Sequence, residues 1–132
     1  MTPETASKGR LRRRGEFSGV FERGAKRHGR FMSVFVLPVG LQQARLGIAA
    51  SRKLGGAVER NLAKRRLREV FRLAPIEAAA DIVVVPRTGV LTAPFDRVQD
   101  EFRGLVDHAL RRARTSPAVG SQPRTPRGDS RL

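Results

Sequence analysis

Residues Arg45 to Arg72 read RLGIAASRKLGGAVERNLAKRRLREVFR. The first seven residues, RLGIAAS, are apolar and short, the pattern of a strand. Gly55-Gly56 then breaks the chain, and from Ala57 the apolar residues change period. Ala63, Leu67, Val70, Phe71 and Ala74 fall within a sector of about 100° on a helix of 3.6 residues per turn. A helix over residues 57–73 follows, limited by Pro75. Strand, glycine turn and amphipathic helix together predict a helix packed on a sheet.

The helix is unusual in its charge. Residues 60–72, RNLAKRRLREVFR, hold six positive side chains and one carboxylate in thirteen residues. Asn61, Lys64, Arg65, Arg68 and Arg72 share the sector beside the apolar stripe, with Arg60 at its edge. Arg66 stands apart, near Glu59 and Glu69, where an ordinary solvated side chain is expected. Solvated helix faces normally mix signs, because like charges four residues apart destabilise a helix by a few tenths of a kcal/mol. Here that cost recurs from Arg60 to Lys64, Lys64 to Arg68 and Arg68 to Arg72. A ligand with closely spaced phosphates removes it, and guanidinium groups bond phosphate oxygens two at a time.

Composition points the same way. The chain has 132 residues, 27 Lys and Arg against 12 Asp and Glu, and a net charge of +15. An excess of that size marks a polyanionic partner. Only four of the basic residues are lysines (Lys8, Lys26, Lys53 and Lys64), so codon bias accounts for the preference for Arg but not for the shortage of acids. No cysteine is present, which removes disulfides and thiolate zinc sites. No apolar run reaches the ~20 residues of a membrane span, and the N-terminus lacks the apolar segment of a secretory signal. A cytoplasmic protein is expected.

Outward from the central helix, Glu16 to Arg23 reads as a short helix, with Phe17, Val20 and Phe21 on one side and Gly24 as its stop. RFMSVFVLP is a strand in which Met32, Val34 and Val36 alternate with Ser33, Phe35 and Leu37, and the Arg30 region could add another short one. DIVVVPR, Asp81 to Arg87, is a buried strand. A last helix opens near Pro94 and keeps its spacing to Arg111-Arg112. The order is α-β-β-(β)-α-β-α, an α+β, α-β sandwich with a small mixed sheet. The thirty or so residues between the strands flanking the central helix allow a crossover and parallel pairing. One folded domain is expected over residues 10–114, with a disordered N-terminus over 1–9 and a disordered basic tail over 115–132.

The residues from Arg45 to Arg72 resemble the signature of the bacterial ribonuclease P protein component family. That signature is a Gly-containing strand, a Ser-Lys-Lys-x-Gly-Asn-Ala-Val segment and an Arg-Asn-Arg-x-x-Lys-Arg helix. RLRRRGEFSGVFERG and ADIVVVPRTG match its flanks, so the resemblance covers roughly residues 10–112. Arg52 replaces a Lys, Gly56 an Asn, and Leu62-Ala63 an Arg-Ile/Leu pair.

The resemblance implies a ribosomal S5 domain 2-like fold with a left-handed crossover at the basic helix. It also implies the protein subunit of ribonuclease P, an endoribonuclease that removes the 5′ leader of precursor tRNA. In that enzyme the chemistry belongs to the catalytic RNA with divalent metal, Mg²⁺, and the polypeptide alone is no catalyst. Carried over by position, Arg60, Asn61, Lys64, Arg65, Arg68 and Arg72 would contact the catalytic RNA. Phe17, Phe21, Phe35, Arg52 and Lys53 would take the leader, with no membrane or DNA partner.

Other readings are weaker. A non-catalytic ribosomal RNA-binding protein would share this composition. A DNA helix reader favours spaced base-reading side chains, and a peripheral membrane helix needs an apolar face that the core already requires. His28, His108, Asp81 and the carboxylates Asp96, Asp100, Glu101 and Asp107 assemble no catalytic set.

Overall fold

The structure, a computed structural model, describes residues 8–39, 43–76 and 78–115. Five strands form one sheet: β1 (Lys8–Arg10), β2 (Ala25–His28), β3 (Met32–Pro38), β4 (Ala44–Ile48) and β5 (Ala80–Pro86). Three helices accompany them: α1 (Arg14–Arg23), α2 (Ala57–Leu73) and α3 (Phe95–Thr115). Short 3₁₀ turns precede the second helix, at Arg52–Leu54, and the third, at Thr88–Leu91.

The strand order is β1-β4-β5-β3-β2, with β5 at the centre. β4 and β5 are parallel neighbours, Leu46 beside Ile82, and α2 lies in the crossover between them. β3 runs antiparallel to β5 and to β2, so the sheet is mixed.

Alternation sorts the strand side chains onto two faces. On one face Met32, Val34, Val36, Leu46, Ile82 and Val84 are buried against the apolar stripes of α2 and α3. Ala63, Leu67 and Val70 of α2 are fully buried there, each large side chain contributing about 1.5–3 kcal/mol relative to exposure. Phe71 and Phe102 meet edge to face at 6.5 Å in this core. On the other face Leu11, Val20 and Val83 form a smaller cluster under α1, with Phe17, Phe35 and Leu37 packed around it. Two helices therefore cover one face, and the ten residues of α1 cover only part of the other.

Two short strands depart from expectation. Lys8 and Gly9, expected in a patternless N-terminus, belong with Arg10 to β1, paired parallel to β4. The additional strand lies before Arg30, at Ala25–His28, and Arg30 itself sits in the turn to β3. α3 runs to Thr115, the first residue of the expected tail. The remaining tail and residues 1–7, 40–42 and 77 lie outside the described residues. Among the described residues no helix is long and apolar enough to cross a membrane.

Candidate nucleic-acid interface

The basic face of α2 begins at a glycine pair with two different tasks. Gly55 has φ 129°, a left-handed conformation that a side chain would strain. Gly56 has no side chain with which to cap the helix, and the cap is supplied from within: its N–H donates to Glu59 Oε1 at 2.9 Å. The helix so anchored holds Asn61, Arg65 and Arg68 exposed, with Arg60 and Lys64 half-buried beside them. The ion pairs among the described residues join Arg45 to Glu16 and Asp81, Arg72 to Glu69, and Arg111 to Asp107. Arg60, Lys64, Arg65 and Arg68 take part in none of them, so their charges stand uncompensated on one surface.

Two cations of this helix behave differently. Arg72 donates to both oxygens of Glu69, at 3.0 and 2.6 Å. That pair raises the pKa of Arg72 and lowers that of Glu69, and it leaves less of the Arg72 charge for a ligand. Arg66, expected to be an ordinary solvated residue, folds back onto the protein. Its guanidinium donates to the carbonyls of Leu91 and Ala93, the latter at 2.5 Å. It thereby ties α2 to the turn before α3.

Phe17, Phe21 and Phe35 gather on the opposite face of the sheet. Gly47 of β4 is what admits Phe17: a Cβ there would lie 2.6 Å from the Phe17 ring, so the ring rests directly on the strand. Phe21 and Phe35 meet edge to face at 4.8 Å. Phe21, at 38% exposure, presents the most open ring of the three. The three form a partly exposed aromatic patch between α1 and the sheet. Arg52 and Lys53 are exposed in the 3₁₀ turn between β4 and α2. Ser51 caps that turn, its Oγ accepting from the Lys53 N–H at 3.3 Å.

Charged and polar side chains extend this patch along β2 and β3. Lys26 Nζ lies 5.2 Å from the centre of the Phe35 ring. His28 Nδ1 is 2.7 Å from Ser33 Oγ, which also accepts from Arg87 at 3.2 Å. Desolvation, then the charges of Lys26, Arg87 and Arg27, hold the His28 pKa below its ordinary value. Lys26, His28, Ser33 and Arg87 were not among the residues assigned from sequence. Reading AKRH as a strand would have placed Lys26 and His28 on the face of Phe35 and Ser33.

A partly buried charge network holds α1 against the sheet. Arg45 donates to both oxygens of Asp81, each at 2.8 Å, and to Glu16 at 3.1 Å. Hydrogen bonds to Asp81, outweighing desolvation, raise the Arg45 pKa. Asp81 is buried on the central strand, with both carboxylate oxygens engaged by Arg45. Glu16 also accepts from the N–H groups of Arg12 and Arg13, so α1 is held to β4 and β5 at its first turn. Among the described residues no group of three or more His, Asp or Glu side chains converges to hold a metal ion.

Comparison with known proteins bears on this arrangement. The family model for Ribonuclease P matches residues 6–110. A ribonuclease P protein component of Desulfovibrio desulfuricans is 40% identical over 121 residues, covering 86% of this chain and 92% of the relative. One from Chloroflexus aurantiacus is 36% identical over 126 residues, covering 93% and 90%. Among solved structures, the RNase P protein from Thermotoga maritima superposes with a TM-score of 0.68 at 33% identity, covering 75% of this chain and 96% of that one. The RNase P protein of Staphylococcus aureus gives 0.63 at 29% identity, covering 79% and 94%.

Proposed function

This chain belongs to the ribonuclease P protein family, the protein subunit of the enzyme that processes tRNA 5′ ends, and from that premise we propose that it holds two RNAs at once. The basic face of α2 takes the catalytic RNA through Arg60, Asn61, Lys64, Arg65 and Arg68. The aromatic patch beneath α1 takes the single-stranded leader of precursor tRNA. Phe17, Phe21 and Phe35 offer rings on which any base can stack, worth ~1–3 kcal/mol per base, which suits a leader of variable sequence. Lys26, Arg87, Arg52 and Lys53 follow its phosphates away from the patch.

The observation that carries this reading is the separation of the two surfaces. Uncompensated cations stand on a helix against one face of the sheet, and partly exposed aromatics stand on the other. The Arg52–Leu54 turn joins them. Hydrolysis then belongs to the catalytic RNA, which holds the Mg²⁺; the polypeptide raises affinity for the precursor and for the metal ions.

The test is a cleavage assay at low Mg²⁺ with a bacterial catalytic RNA and precursor tRNA. Adding this protein should stimulate removal of the leader, and the protein alone should cleave nothing. Cleavage without the RNA would overturn the division of labour. Absence of stimulation would favour a ribosomal RNA-binding role.

A further inference from the structure

Arg10 closes β1, and Arg68 lies on the cationic side of α2, far along the chain. The sheet register sets Arg10 beside Leu46. Leu46 belongs to the core that α2 seals with Ala63 and Leu67. Laterally paired residues of neighbouring strands project to the same face, so Arg10 emerges on the α2 side of the sheet. Arg68 follows Leu67 on that helix. Consistent with that placement, partial desolvation and then the positive charge of Arg10 lower the Arg68 pKa. Both residues are exposed, and neither belongs to an ion pair of the described residues.

In the free protein this apposition is repulsive. One anion with two acceptor oxygens would reverse its sign, since each guanidinium could donate to a different oxygen. A phosphodiester has that form. We propose that Arg10 and Arg68 form a two-guanidinium clamp on a single backbone phosphate of the catalytic RNA, a site shared between β1 and α2. The proposal rests on α2 being the surface that takes this RNA. It gives the three-residue β1 a role beyond closing the sheet edge, because its pairing with β4 sets where Arg10 stands.

The experiment measures affinity of the full chain for the catalytic RNA across a salt series, for Arg10→Gln, Arg68→Gln and the double variant. Each single change should weaken binding roughly tenfold, the scale of one charge-assisted hydrogen bond. The double should be little worse than either single, because all three lose the same phosphate. The salt slope should fall by about 0.7–0.9 in every case. The thermal midpoint of free Arg10→Gln should hold or rise, since a repulsion is relieved; a merely structural β1 residue would lower it.

Additive losses in the double variant, or unchanged binding in Arg10→Gln, would overturn the clamp. Arg65→Gln separates the two levels. Should Arg65→Gln bind normally, the α2 interface itself fails, and the clamp with it; should it bind weakly while Arg10→Gln binds normally, only the clamp fails.

Discussion

Phe21 and Phe17 both belong to the aromatic patch under α1, but they differ in what else they do. Phe17 rests on Gly47 and packs into the small cluster around Val83, so its removal disturbs the fold as well as any ligand. Phe21, 38% exposed and edge-on to Phe35, is free of most of that duty. Phe21→Ala should therefore weaken binding of precursor tRNA by about 1–3 kcal/mol and leave mature tRNA nearly unaffected. The pair of dissociation constants, with a melting curve for each protein, checks this. Equal losses for both tRNAs together with a lowered melting temperature would return Phe21 to the core. At this scale the sequence was informative where a side chain's environment is local. The stripe of Ala63, Leu67, Val70 and Phe71 is set by helical spacing alone. Arg66 was not legible, because its partners are backbone carbonyls of Leu91 and Ala93, far along the chain.

Among the elements, α2 could be read to both ends because each end has a local cause. Gly55 and Gly56 open it, and Ala74, with extended φ and ψ before Pro75, closes it. β1 and β2 offered no such signal. Three and four residues, KGR and AKRH, are too short and polar to show an apolar period. What forms them is pairing with β4 and β3 rather than any intrinsic preference. The two-sided arrangement of helices was equally hidden, although the double apolar face of β3 hinted at it. α1 is held in place chiefly at its first turn. There Glu16 accepts from the Arg12 and Arg13 backbones and from the Arg45 side chain. The backbone bond from Arg13, then that from Arg12, with a smaller contribution from Arg45, draws its pKa below the usual 4.5. A carboxylate with a depressed folded pKa stabilises the fold above its unfolded value, and that contribution disappears as pH falls through the folded one. Glu16→Gln should thus cost about 0.5–2 kcal/mol near neutral pH, the range for loss of a helix cap. Urea unfolding at a series of pH values should show the difference from wild type shrinking as acid protonates Glu16. A difference that persists undiminished in acid would mean the loss is one of packing.

At the scale of the whole molecule, several carboxylates among the described residues are already engaged by the protein's own groups. Glu59 caps α2, Glu69 takes Arg72, and Asp81 takes Arg45. Asp107 takes Arg111, and Glu101 accepts from the Arg30 and Phe31 backbones at 2.8 and 2.7 Å, pinning the β2–β3 turn to α3. None of these carboxylates pairs with Arg60, Lys64, Arg65 or Arg68. A net charge of +15 would matter less if it were spread evenly and locally balanced; here part of it is left bare on one rigid helix. Such a surface binds RNA by displacing condensed counterions, so affinity falls with salt in proportion to the phosphates it neutralises. Changing Arg60, Lys64, Arg65 and Arg68 together to Ala should flatten the dependence of log K on log salt by up to about 3. The apolar stripe is untouched, so circular dichroism of the variant should remain that of the wild type. Arg72→Ala, whose side chain already donates to Glu69, should change the slope by less than any of those four does singly. A quadruple variant that keeps the wild-type slope would show that the RNA lies against another surface, and the cations around the aromatic patch would be the next to test.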